Sequence, residues 1–182
     1  RSSAASDVYK RQLLLITLML LTAPLSQAAQ KCNANAVRVA PDTRYTLLNS
    51  NTEVEDVKTG LIWQRCSVGQ SWNGSTCSGV ATSMNWTNAL QTAKNMGNDW
   101  RLPNIRELGS LVEPTCSSPT INETFFPATV IRITDGLYFY WSSSSEAKQG
   151  SVARYFDFSF SGNDSTSSKS FLGFVRLVRS RQ

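Results

Sequence analysis

Four cysteines, Cys32, Cys66, Cys77 and Cys116, all follow one short apolar run, and that order limits the fold more than any other feature. The run, Leu13 to Leu21, reads LLLITLMLL. It is about half of the roughly 20 residues that a bilayer-spanning helix needs. Pro24 and the small-residue stretch Ser26-Gln27-Ala28-Ala29 come next. An apolar segment of this kind ahead of small residues is a secretory leader with its cleavage site, placed here after Ala28. Residues 1–12 (RSSAASDVYKRQ) read as a non-native scar, 13–28 as the signal peptide and 29–182 as a single exported domain. An even number of cysteines in an oxidising compartment implies disulfides. Three pairings are open. The spacing favours Cys66–Cys77, which closes the loop SVGQSWNGST, and Cys32–Cys116, which ties the mature N-terminus to mid-chain. In the chain-entropy account these contribute roughly 3 and roughly 4.5 kcal/mol.

Several chemistries are disfavoured by composition. The chain has no His and no Cys-x-x-Cys pair, so a zinc site is not expected. Lack of His removes the commonest general base at neutral pH and with it the Ser-His-Asp and Cys-His arrangements. The carboxylates Glu53, Glu55 and Asp56, and Asp157 and Asp164, have no supporting catalytic motif and are expected on solvated faces. Neither a Glu-Pro-Asn nor a Trp-Asn-Asp calcium signature occurs. We therefore expect a non-enzyme without cofactor or metal.

The formal charge is +5, and loss of Arg1, Lys10, Arg11 and Asp7 with the leader lowers it by two. The excess of base lies late, in Lys148, Arg154, Lys169, Arg176, Arg179 and Arg181, against Asp157 and Asp164. Such an end either attracts a polyanion or is an ordinary solvated face. No nucleic-acid recognition motif is visible, and no second apolar run suggests a stable membrane span.

Patterning along the mature chain predicts an α+β domain. Residues 30–50 read as irregular, with a turn at Pro41-Asp42. Val54–Val57 and Leu61–Gln64 flank Lys58-Thr59-Gly60 as a β-hairpin. Trp86, Ala89, Leu90, Ala93 and Met96 share a helical face, with Asn85 as N-cap and Gly97 as the stop. A second helix starts after Pro103, with Asn104 and Glu107 spaced as a capping box. Ile105, Leu108, Leu111 and Val112 form its buried stripe, and Pro114 ends it. Strands are expected at Leu137–Ser142, at Val152–Phe160 with Phe156, Phe158 and Phe160 on one side, and at Phe171–Val178. A turn rich in Gly, Asn and Ser is expected over 161–170.

Four segments are more distinctive: Thr59-Gly60-Leu61-Ile62-Trp63; Asp99-Trp100-Arg101-Leu102-Pro103-Asn104 with Arg106-Glu107-Leu108; Tyr140-Trp141-Ser142-Ser143-Ser144; and Val175-Arg176-Leu177-Val178-Arg179. In this order they resemble the Lcl C-terminal domain family over roughly residues 50–180. The resemblance implies a C-type-lectin-like fold, here two helices on antiparallel sheet, in an exported bacterial protein. For the founding collagen-like adhesin it implies binding of sulfated polysaccharide and trimerisation through the collagen-like part. This chain has no Gly-X-Y repeat, so neither a stalk nor its trimerisation is carried over. It also departs at Leu47-Leu48-Asn49-Ser50-Asn51. The related formylglycine-generating enzymes use late cysteines, and none follows Cys116 here.

The candidate ligand-binding residues are Trp72, Trp141, Ser143, Arg176 and Arg179. Trp72 sits in the disulfide loop and is the tryptophan expected to be most exposed. An indole face can stack on a sugar ring; the alternative is that Trp72 folds over its own disulfide. Trp141 and the serines after it either meet a sugar or end a strand through local hydrogen bonds. Arg176 and Arg179 lie three apart on a strand and so face opposite ways. One is expected to make an internal salt bridge and the other to be free for ligand. Trp63, Trp86, Trp100 and Leu102 are expected in the core, with Arg101 paired to a carboxylate such as Glu107. The expected partner is a glycan or polysaccharide at the bacterial surface or in the periplasm. The alternative is a structural or assembly role, through a protein partner of the cell envelope.

Overall fold

The computed structural model describes residues 30–131, 138–160 and 162–181. The expected scar and signal peptide lie outside the described residues. Both favoured disulfides form, Cys32–Cys116 and Cys66–Cys77. The first staples a two-residue pair, β1 (Lys31–Cys32) against β7 (Cys116–Ser117), with the two cysteines in register. The second staples β5 (Ser71–Trp72) to β6 (Cys77–Ser78), with Trp72 opposite Cys77.

The expected hairpin is present as β3 (Glu53–Asp56) and β4 (Leu61–Gln64), paired antiparallel. Val54 and Trp63 are cross-strand partners, and both are fully buried. The hairpin is the middle of a four-stranded sheet, in the order β11 (Val178–Ser180), β4, β3, β2 (Tyr45–Leu48). Strand β2 (Tyr45–Leu48) occupies a stretch expected to be irregular. Asn49, Ser50 and Asn51, with φ of 48°, 53° and 67°, reverse the chain into β3. Short polar side chains tolerate that left-handed backbone. The departure at Leu47–Asn51 is thus a strand end and its turn.

Helix α1 (Trp86–Met96) is capped as expected: the Asn85 side chain accepts from Asn88 N–H, and Gly97 follows at φ 66°. Helix α2 (Ile105–Ser110) has the full capping box of Asn104 and Glu107. It stops before Pro114 can act, because Leu111 already caps it and Val112 bridges Ile121 instead.

The second sheet has three strands, ordered β10-β9-β8. Strand β8 (Tyr140–Ser145) runs into the serines rather than ending at them; Leu137 lies outside the described residues. Strand β9 (Val152–Asp157) ends before Phe160, which is 60% exposed while Phe156 and Phe158 are buried. Once the strand stops, the two-residue alternation no longer governs which way a side chain points. Strand β10 (Asn163–Ser168) corrects the expected turn. Its NDSTSS sequence has no apolar alternation because it is an outer strand, bonded only to β9. Alternation on the inner strands divides the core. Tyr140 and Phe156, which are register partners, enter the cluster with Trp63 and α2's Leu108. Trp141 and Ala153 enter the cluster with α1's Ala89 and Ala93. The sheet therefore has one helix on each face.

The expected last strand is mostly a connector. Strand β11 is only Val178–Ser180, beside β4. Before it, residues 173–177 run extended from one sheet to the other. Phe174 exchanges hydrogen bonds with Phe139 and Trp141, Val175 O accepts from Val68 N–H, and Leu177 O accepts from Gln64 N–H. Gly173 permits this passage: a Cβ there would lie 2.4 Å from the Phe139 ring. The fold is α+β, with antiparallel sheets, two helices and two disulfides.

Candidate functional site

The Trp-Arg-Leu-Pro-Asn segment crosses from α1 to α2 and is pinned at both ends. Arg101 and Val178 exchange backbone hydrogen bonds of 2.9 and 3.0 Å, fixing the segment beside β11. Pro103 O accepts from Ser143 N–H at 2.7 Å, fixing it to β8. Arg101 donates to both oxygens of Glu107, at 2.7 and 2.6 Å, as expected. Burial works against the Glu107 carboxylate. The bonds from Arg101 and from Asn104 N–H outweigh it and hold the carboxyl below its usual range. The same pairing raises the Arg101 pKa.

An open cleft of about 440 Å³ lies between this segment, α1 and β8. Leu90, Ala93 and Trp100 give it apolar surface, and Lys94, Arg101 and Ser143 give it polar groups. Lys94 is exposed in the last turn of α1. Arg101 keeps N–H donors beyond the two that reach Glu107, since a guanidinium carries five, and its side chain is 43% exposed. Trp100 is half-buried, with the Arg179 guanidinium 5.3 Å from its ring centre. An apolar floor beside two cations and a hydroxyl suits a polar, negatively charged ligand with an apolar face.

Of the candidate residues read from sequence, Ser143 lines this cleft and Trp72 lines a second hollow. The two are not brought into one site. Trp141 is corrected: it is fully buried, its indole N–H donating to Met84 O at 2.9 Å, so no sugar can stack on it. The side chains of Ser142 and Ser144 are structural. Ser142 Oγ donates to Arg154 O, and Ser144 Oγ accepts the first N–H of α2. Arg176 is corrected too. It is fully buried, and it donates to the Gln64 and Arg65 carbonyls and to Thr129 Oγ1 rather than to a carboxylate. Arg179, expected to be free if Arg176 was not, is paired with Glu53 at 2.8 Å. Trp72 is half-buried, with Arg65 stacked 3.5 Å from its ring centre. Trp63 is buried as expected, whereas Trp86 is half-buried and donates to Ser142 O.

The late arginines do not form a free cationic face. Arg154 pairs with Asp164, Arg181 with Glu55 and Arg179 with Glu53. Glu53, Glu55 and Asp164, expected on a solvated face, are their partners; Asp157 accepts from Ser159 N–H, and Asp56, fully buried, pairs with Arg44. Lys94 was not singled out by sequence because it lies on the polar side of an amphipathic helix. Only the tertiary approach of Trp100 gives it a setting. Among the described residues no metal-binding cluster of His, Cys, Asp or Glu occurs, and no helix is long and apolar enough to cross a membrane.

These features define a disulfide-bonded α+β domain in which two of the four distinctive segments line an open cleft. The Lcl C-terminal domain family matches residues 52–179, and the chain belongs to that family. No curated protein and no solved structure matches it.

Proposed function

We propose that this protein is a non-catalytic binding module of C-type-lectin-like fold, exported to the periplasm or cell surface, that recognises anionic polysaccharide through the Trp100 cleft. The observation that carries the reading is the cleft itself. It joins an indole and aliphatic floor to the exposed Lys94 and the partly exposed Arg101. Sugars offer a C–H face to an aromatic and hydroxyls to polar groups, while sulfate or carboxylate groups meet cations. Family membership and the two disulfides support the surface setting. The absence of His throughout the sequence supports a role without acid–base catalysis.

The test is binding of the disulfide-bonded protein to a panel of sulfated and neutral glycans at two salt concentrations. Selective binding that weakens with salt is expected, since exposed charges are screened within about 10 Å at 0.1 M salt. No binding at low salt would remove the reading. A second reading, a protein partner in the envelope, is favoured by the exposure of Phe160, Phe171 and Leu172 at 60, 51 and 60%. It predicts a stable complex captured from envelope extracts by a protein that binds no glycan.

A further inference from the structure

The two disulfides sit in different surroundings. Cys66 and Cys77 are both buried, at 8 and 4% exposed. In the other bridge Cys116 is 4% exposed, but Cys32 is on the surface. Of the four cysteines, Cys32 alone is exposed. Access is one of the factors that set the rate of thiol–disulfide exchange. A thiolate in solution therefore meets the Cys32 end of this bridge before any other cysteine.

The chain around Cys32 is also separable from the core. Every residue from Lys31 to Val39 is exposed or half-buried, and no residue before Ala40 enters either apolar cluster. Besides the disulfide, the stretch is held by polar contacts. Lys31 and Cys32 pair with Ser117 and Cys116, Asn33 N–H donates to Thr115 O, and the Gln30 side chain donates to Pro119 O and Ile121 O.

The buried end of the bridge is equipped to carry a charge. Arg38 Nη2 donates toward Cys116 Sγ at 3.9 Å. The rest of that guanidinium is loosely engaged. Its Nε lies 3.6 Å from Glu113 Oε2 and is buried without a hydrogen-bond partner, and its Nη1 lies 4.0 Å from Asp42 Oδ1. Glu113 takes its close hydrogen bonds from Ala40 N–H and from Thr115 instead. Thr115 Oγ1 is also 3.9 Å from Cys116 Sγ, but it gives its proton to Glu113 at 2.6 Å. Arg38 is thus the group that would face a thiolate on Cys116. A neighbouring arginine lowers a thiol's pKa, and a thiol of lower pKa leaves faster in exchange.

We propose that Cys32–Cys116 is an exchangeable disulfide, and that Cys32 is the site where a small-molecule thiol becomes covalently attached. The incoming thiol loses its proton to solvent, and its thiolate attacks Cys32 Sγ. The new S–S bond forms as the Cys32–Cys116 bond breaks. The electron pair leaves on Cys116 Sγ beside Arg38, and that thiolate then takes a proton from solvent. Attack by Cys116 on the mixed disulfide reverses the reaction, so no oxidant or reductant is consumed. The stretch before Ala40 is released while the apolar clusters, and Cys66–Cys77, stay closed.

The test is timed incubation of the disulfide-bonded protein with excess glutathione under native conditions, then rapid alkylation with N-ethylmaleimide and peptide mapping by mass spectrometry. Glutathione is expected on Cys32 and the alkyl group on Cys116. Cys66–Cys77 is expected to open about tenfold more slowly or not at all. The adduct is expected to keep the tryptophan fluorescence of the parent. Arg38→Ala is expected to slow the opening about threefold, because the leaving thiolate loses its cation. An arginine that only held the segment in place would, once removed, loosen it and speed the opening. Glutathione on Cys116, Cys66 or Cys77, equal opening of the two bridges, an unfolded adduct, or an Arg38→Ala variant that opens as fast as the parent would each overturn the proposal. The adduct map of the parent decides the matter even where Arg38→Ala fails to fold.

Discussion

The Arg176 hub and the Trp100 cleft are made from the same kinds of residue, and they do opposite things. Around Arg176, aromatic rings and hydroxyls close completely. The guanidinium lies 5.1 Å from the Phe126 ring centre and donates to Thr129 Oγ1 at 2.9 Å. It also bonds the carbonyls of Gln64 and Arg65, where β4 meets the disulfide loop. Burial lowers its pKa. In the cleft, Trp100, Arg101 and Ser143 are held by backbone bonds while part of each side chain stays open to solvent. A Trp, an Arg and a Ser in a family motif therefore do not tell whether a site is structural or binding. What separates the two is whether neighbours cover the side chains.

The widest separation between the regions should appear in stability. Arg176→Ala removes four hydrogen bonds, two to carbonyls and two to hydroxyls, and leaves a void. We expect a loss of about 3–5 kcal/mol. That corresponds to a fall in Tm of roughly 10 °C for a domain of this size. Arg179→Ala, which breaks a half-buried pair with Glu53, should cost about 1 kcal/mol. Urea melts of the two variants check this. Equal losses would abolish the distinction between a buried hub and a surface pair.

Next in size is the support beneath the cleft. Glu107 caps α2 and anchors Arg101. Glu107→Gln replaces charged hydrogen bonds with neutral ones, and a cost of about 1–2 kcal/mol is expected. The pH dependence has a definite sign. Asp56, Glu107 and Glu113 have folded pKa values below their ordinary ones. In each, burial pushes the value up, and hydrogen bonds and nearby arginines outweigh it. A carboxyl with a depressed folded pKa contributes stability above its unfolded value, and loses it as pH falls through the folded value. Stability should therefore hold at neutral pH and fall on acidification below about 4, where unfolded carboxylates take up protons. Glu107→Gln should show a shallower fall over that window. Parallel melts at pH 7 and pH 3 measure the difference, and an unchanged slope would remove Glu107 from the set.

The parts legible in the sequence were those set by near neighbours. Asn85, Asn104 and Glu107 cap helices from within four residues, and Gly60 turns the hairpin. The 66–77 disulfide joins cysteines only 11 positions apart in sequence. What escaped depends on distant partners. Strand β10 has no apolar pattern because pairing with β9, not burial, makes it a strand. Strand β2 needed β3 beside it before its four residues had a purpose. The fate of Trp141 and Arg176 was decided by Met84 and Thr129, which lie 57 and 47 residues away in sequence. Lys94 became notable only when Trp100, packed across from it, left an open floor between them.

The smallest effect on stability should mark the largest on binding. Lys94 is exposed and has no carboxylate partner among the described residues, so Lys94→Ala should change stability by less than about 0.5 kcal/mol. If the cleft takes an anionic glycan, the variant loses one ion pair with the ligand. Affinity for a sulfated glycan should fall severalfold at low salt, and the decline of affinity with salt should become shallower, because one fewer charge is screened. Trp100→Ala should also weaken binding but leave the salt slope alone, because a stacking surface carries no charge. Titrations of both variants at two ionic strengths separate the two contributions. A Lys94→Ala variant that matches the parent at both would leave the cleft with no more claim to a ligand than the Arg176 hub.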